Sequence, residues 1–143
     1  MSPTWKPDDS VAEGRTGLRT IRAALKKHRV NVTKRVITSR DPGMEQVLWE
    51  LRREGLPPGF RSWRLPIPVE NSPSFPFMTV AEPGAIVPEH SHQKDLLRVI
   101  ISGSIITNGI ELKSGDWMYV PAGVTYGYMA GLNPGAISFH IYW

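Results

Sequence analysis

The sequence predicts a β-barrel or β-sandwich preceded by a helical extension, and three observations lead there. Glycine and proline are both abundant, thirteen of each in 143 residues, which favours short strands and turns over a helix bundle. From Leu65 onward Pro66, Pro68, Pro73, Pro76, Pro83 and Pro88 interrupt short apolar pieces, and such spacing leaves no room for long helices. The charge changes sign at the same place. Residues 1–64 carry fourteen Lys and Arg against seven Asp and Glu, net +7, whereas residues 65–143 carry three against six, net −3. The overall charge of +4 therefore belongs to the first part of the chain.

The elements follow in order. Residues 1–15 read as a polar tail with Pro3, Pro7 and Gly14. Residues 16–29 read as a helix, with Leu18, Ile21 and Leu25 on one stripe and Arg19, Arg22, Lys26 and Arg29 on another. The β-branched content of Val30–Thr38 predicts a strand. Asp41-Pro42 predicts a helix start, Asp as the cap and Pro at the first position. Met44, Val47, Leu48 and Leu51 give that helix its apolar stripe, and Gly55, Pro57 and Pro58 end it. Beyond it, strands are predicted at Phe77–Ala81, Leu96–Ile101, Ser104–Thr107, Ile110–Leu112, Trp117–Val120 and Ile137–Tyr142. Ser102-Gly103 and Asn108-Gly109 read as hairpin turns between them. Trp117, Met118 and Tyr119 are expected in the core or along a pocket wall, and Glu89 in solvent.

Composition excludes several function classes. The absence of cysteine removes disulfides, thiol nucleophiles and cysteine-held zinc or iron–sulfur centres. No apolar run approaches a membrane span and no secretory segment follows Met1, so a soluble cytoplasmic protein is expected. The stretch from Arg15 to Arg35 holds eight basic residues and, from Thr16 on, no acidic one. It lacks interleaved aromatics, which a nucleic-acid stacking platform needs, so nucleic acid is not expected as a partner. A solvated helix face, packed on the barrel or across a dimer, explains the basic stretch.

His90-Ser91-His92 is the triplet that carries chemistry. On a strand, residues two apart project from one face about 6–7 Å apart, so two imidazoles can converge on one metal ion. Gly84 precedes His90 by six residues and Gly103 follows His92 by eleven. Gly115, Pro121 and Gly123 then form a second glycine-anchored run. In these two motifs the chain resembles the cupin family, whose first motif sets Gly, His-x-His, Glu and Gly at this spacing and whose second sets Gly, Pro-x-Gly and His. The resemblance spans about residues 84–126 and does not reach residues 1–64. It implies an all-β jelly-roll barrel of two antiparallel sheets, residues 60–143, after a basic extension of tail and two helices, residues 1–59. It also implies a metal pocket at the barrel mouth and, frequently, a homodimer. Two positions depart from the family pattern: Leu96 stands where the ligand Glu is expected, and Tyr126 where the second-motif His is expected.

Three further residues complete the candidate site. Some cupins place a His and a Tyr two apart on a late strand at the metal pocket, and His140 and Tyr142 lie at a similar offset. Alternation puts Ser138, His140 and Tyr142 on one face and Ile137, Phe139, Ile141 and Trp143 on the other; periodicity leaves open which face is the core. Arg98 shares a face with His90, His92 and Leu96, either as a clamp for a substrate anion or as one half of an internal ion pair or part of an exposed sheet face. Tyr126 is a proton donor or a pocket wall.

The expectation is a metal-dependent enzyme of the cupin kind acting on a small, anionic or enolisable substrate. His90, His92 and His140 would hold a divalent iron, zinc, nickel or manganese ion, and Arg98, Tyr126 and Tyr142 would serve catalysis. Two alternatives accompany it: a metal-free acid–base isomerase or epimerase, and a non-enzymatic ligand-sensing module.

Overall fold

The computed structural model describes residues 5–7 and 14–143, with residues 14 and 15 described by backbone alone. Most of the tail expected at residues 1–15 thus lies outside the described residues. The elements are α1 (Gly14–Lys27), α2 (Met44–Glu50), β1 (Phe60–Arg64), β2 (Phe77–Ala81), β3 (Ile86–His90), β4 (Leu96–Thr107), β5 (Ile110–Lys113), β6 (Trp117–Val120), β7 (Tyr126–Ala130) and β8 (Ala136–Tyr142). No helix among the described residues is long and apolar enough to cross a membrane.

The two helices bury their apolar stripes against each other. Ile21, Ala24 and Leu25 pack with Met44, Val47, Leu51 and Phe75. The basic stripe faces water, where Arg22 pairs with Glu70 and Lys27 with Glu50. The helices are also stitched to the sheet: Arg53 donates its amide to the Ser62 carbonyl (2.7 Å) and Arg64 donates to the Leu51 carbonyl (3.3 Å).

Two expectations in this region fail. Val30–Thr38 is irregular chain. Its β-branched residues meet no partner strand, and β-propensity is realised only against one; Val30 is instead buried in the helical core. The second helix is capped by Gly43 rather than Asp41. The Asp41 carboxylate is taken by Arg35 (2.9 Å) and Thr38 (3.1 Å). Gly43 holds φ +85°, and a Cβ there would lie 2.6 Å from the His28 carbonyl oxygen.

All strand pairings are antiparallel, and the two sheets share β4. One sheet runs β1-β2-β8-β4-β6 through the first half of β4. The other runs β3-β7-β4-β5 through its second half. The result is a curled antiparallel jelly roll, as the sequence predicts. β4 is one strand of twelve residues where the sequence suggests two and a turn. Gly103, at φ +70°, marks a bend rather than a reversal. The register slips by one residue between Ile100 and Ser102, as a β-bulge does. The slip changes which residues face inward: Leu96, Arg98 and Ile100 before it, Ile105 after it. Asn108-Gly109 does form the expected hairpin turn, both residues at positive φ.

Strands β1, β3 and β7 escape the sequence patterns because each carries a residue that weakens the signal: two arginines in β1, Pro88 in β3 and Gly127 in β7. The outer face of the first sheet is apolar. Trp63, Met78, Phe139, Val99 and Trp117 are aligned across its five strands by register. Trp117 and Tyr119 lie on this face, 62% and 51% exposed, which corrects their expected place in the core. Glu89 is exposed as expected.

Candidate active site

Strict alternation on four strands fills the barrel interior with polar side chains. On β8 it turns Ser138, His140 and Tyr142 inward, on β7 Tyr126 and Tyr128, on β2 Phe77 and Thr79, and on β4 Leu96 and Arg98. The question left open by periodicity is therefore answered: His140 faces the interior, and Ile137, Phe139 and Ile141 form the outer side. His90 closes β3 opposite Tyr126. His92 follows just beyond the strand end, its carbonyl held by the Gly123 amide at 2.8 Å.

All six candidate residues, His90, His92, Arg98, Tyr126, His140 and Tyr142, line one cavity of about 30 Å³. Trp5, Arg53, Ser62, Thr79 and Tyr128 line it as well; sequence patterns did not mark these, because β1 was unseen and Trp5 lies in the tail. Among the described residues that line it, none is Asp or Glu.

Arg98 is the charge at the centre. It is 4% exposed. Its Nη1 donates to Ser138 Oγ at 2.7 Å, and its guanidinium carbon lies 5.1 Å from the Tyr128 ring centre. Its Nε is buried without a hydrogen-bond partner. No carboxylate among the described residues pairs with it. A buried cation without a counter-ion is costly unless an anion completes it.

His140 faces this charge, since Arg98 and His140 are register partners on β4 and β8. Its ring stacks on Phe77, 5.1 Å between centres and 9° between planes. Burial first, then Arg98, Arg53 and His92, hold its pKa well below the usual imidazole value, so it is neutral. Its Nδ1 lies 3.5 Å from Thr79 Oγ1. Thr79 in turn donates to Ser62 (3.0 Å), and Ser62 donates to the Met78 carbonyl (2.9 Å). That chain leaves Thr79 oxygen an acceptor for an Nδ1 proton. Nε2 is then the unprotonated nitrogen, and it is buried with no hydrogen-bond partner.

Tyr126 packs on His90 with ring centres 4.6 Å apart. Burial pushes its phenol well above the ordinary tyrosine range, with Arg98 pulling weakly the other way. It stays protonated and can donate.

His90 and His92 bring their Nε2 atoms to 3.0 Å. His90 Nδ1 donates to the Pro88 carbonyl at 2.8 Å, leaving its Nε2 as an acceptor. This pair resembles one edge of a metal site. The remaining donors do not fit. Among the described residues no three His, Asp or Glu side chains converge as ligands do. His140 is not gathered as the third because its ring is pinned on Phe77 and Thr79. Leu96 is fully buried in the core at the expected Glu position, and Tyr126 keeps its proton. Among the described residues the histidine pair thus gathers no third His, Asp or Glu, and His140 is turned onto Phe77.

Comparison with known proteins places the fold. KdgF from Halomonas sp. aligns over 62% of this chain and 81% of its own, with 19% identity and a TM-score of 0.52. A Cupin 2 conserved barrel domain protein from Salinispora arenicola aligns over 59% and 75%, at 22% identity and TM-score 0.50. Oxalate decarboxylase from Bacillus subtilis matches 64% of this chain but 26% of its own, at 21% identity and TM-score 0.54. The barrel is thus a cupin fold. No family model matches the sequence, and no curated protein does.

Proposed function

We propose that this chain is a metal-free enzyme of the isomerase or epimerase type, moving a proton at a carbon adjacent to the carboxylate or carbonyl of a small anion. One observation carries this: a buried guanidinium with no carboxylate among the described residues beside it faces a neutral imidazole whose Nε2 has no partner among them. An anionic substrate supplies the missing counter-charge, its oxygens accepting from Arg98 while Ser138 fixes the guanidinium plane.

Substrate binding also prepares the base. Arg98 is among the groups that hold the His140 pKa down. A bound carboxylate offsets that charge and moves His140 back toward the working range. Nε2 then takes the proton from carbon, and the C–H electron pair passes to the carbonyl oxygen as an enolate. Tyr126 donates a hydrogen bond to that oxygen. Return of the proton to the other face, or to the neighbouring carbon, completes an epimerisation or isomerisation. Apolar walls from Tyr128 and Tyr142 keep water from quenching the enolate.

The test is exchange of carbon-bound hydrogen into D2O, followed by proton NMR over a panel of small 2-hydroxy and 2-oxo acids. Exchange that persists after exhaustive chelation and disappears in Arg98→Met and His140→Asn supports the proposal. Exchange that stops on chelation and returns with a divalent metal would overturn it.

A further inference from the structure

The cavity that gathers Arg98, His140 and the histidine pair is almost filled. Its 30 Å³ is room for about two waters, which admits only the smallest carboxylates. The wall that makes it so small comes from outside the barrel strands. Trp5 is half-buried and packs against the barrel core. Its indole sits edge-on to His90, 4.7 Å between ring centres. A single hydrogen bond, Nε1 to the Gly55 carbonyl at 2.9 Å, anchors its polar edge.

Two open clefts lie on the other side of the same ring. One, of about 530 Å³, is lined by Trp5, Lys6, Arg52, Arg53 and Arg64. The other, of about 800 Å³, is lined by Trp5, Lys6, Pro7, His90 and His92. Trp5 lines all three spaces. Among the described residues it thus stands between the inner cavity and both clefts, and it belongs to no strand. Lys6 lines both clefts, with Glu50 and Glu54 in the first and Glu89 in the second.

We infer that Trp5 is the specificity-determining cap of the pocket, seated over His90 and fixing the largest anion that Arg98 can receive. This rests on the anion reading above. An anion small enough to fit beneath the indole binds with the cap closed. A longer one must displace the ring from Gly55 and His90, and it gives up affinity to do so.

The experiment uses the full chain and two variants, Trp5→Ala and Trp5→Phe, neither of which replaces a strand residue. Calorimetric titration with formate, acetate, malonate and citrate reads the size limit. The rate of diethylpyrocarbonate modification at His90 and His92, read by mass spectrometry, reports the cap without any anion. Wild type is expected to bind formate and acetate and to reject citrate. Trp5→Ala is expected to bind malonate and citrate at least tenfold more tightly than wild type, with His90 modified at least tenfold faster, and Trp5→Phe to fall between. An unchanged size series together with unchanged histidine reactivity would overturn the cap and leave the anion pocket standing. Faster histidine modification with no anion bound by either protein would uphold the cap and overturn the anion reading.

Discussion

Arg98 and His140 sit directly opposite each other on β4 and β8, both inside the barrel, one holding a permanent charge and the other kept neutral in part by it. Replacing Arg98 with Met keeps most of the volume and removes the charge. Loss of a charge-assisted contact is expected to weaken binding of small carboxylates about a hundredfold. Because a buried unpaired charge is itself unfavourable, the variant is expected to unfold at the same or a higher urea concentration than wild type. Calorimetry and urea titration together check the pair of outcomes. Ser138→Ala is expected to lower stability by about 1–3 kcal/mol, since it strips the guanidinium of an acceptor.

His140 makes stability depend on pH in a defined direction. Its folded pKa lies well below its ordinary 6.5. Between those two values the unfolded chain holds a proton that the folded chain does not. Its contribution is therefore fully present above about pH 6.5 and is lost as the pH falls below it, at up to about 1.4 kcal/mol per pH unit. His140→Asn should flatten the wild-type slope between pH 6.5 and 5 in urea titrations. An identical slope in both proteins would mean that other groups set it.

Tyr126 is expected to act with its proton in place. Tyr126→Phe should lower the rate of hydrogen–deuterium exchange at carbon about a hundredfold, the usual cost of one preorganised donor. The alkaline limb of the pH profile should stay where it was, because the burial that raises the phenol pKa keeps it from titrating there. The rate profile from pH 6 to 10 in both proteins measures this.

Gly103 is the hinge of β4. At φ +70° a Cβ would run into the Gly135 carbonyl, and the strained conformation adds about 1–3 kcal/mol. Gly103→Ala is expected to destabilise the fold by at least about 2 kcal/mol in urea titration. Gly109, also at positive φ, has nothing near its missing Cβ, so Gly109→Ala should cost less.

The sequence motifs lead to residues that line one cavity, because turn glycines and the His-x-His triplet are local signals that a barrel turns into fixed positions. Alternation along β8 correctly grouped Ser138, His140 and Tyr142, but which face was buried depended on β2 and β4 packing on one side of it. The outer residues Ile137 and Phe139 are as apolar as a core. Trp117 misled for the same reason. Val30–Thr38 looked like a strand because residue preference cannot show the absence of a partner. Arg53 and Trp5 could not be found from spacing at all: both reach the cavity from chain that the barrel motifs do not cover, and Gly55, which anchors Trp5, is fifty residues away.

The interior of this barrel holds a cation that no described carboxylate answers. Whatever anion belongs there will bind the folded chain and ignore the unfolded one, so its presence is written into the melting temperature. An anion at a hundred times its dissociation constant adds about 2.7 kcal/mol to the folded state, several degrees of melting for a chain of this length. An anion for this pocket can thus be sought by heating the protein with one candidate acid after another, without assaying a reaction, and Arg98→Met shows which of the stabilising acids bind where the charge is.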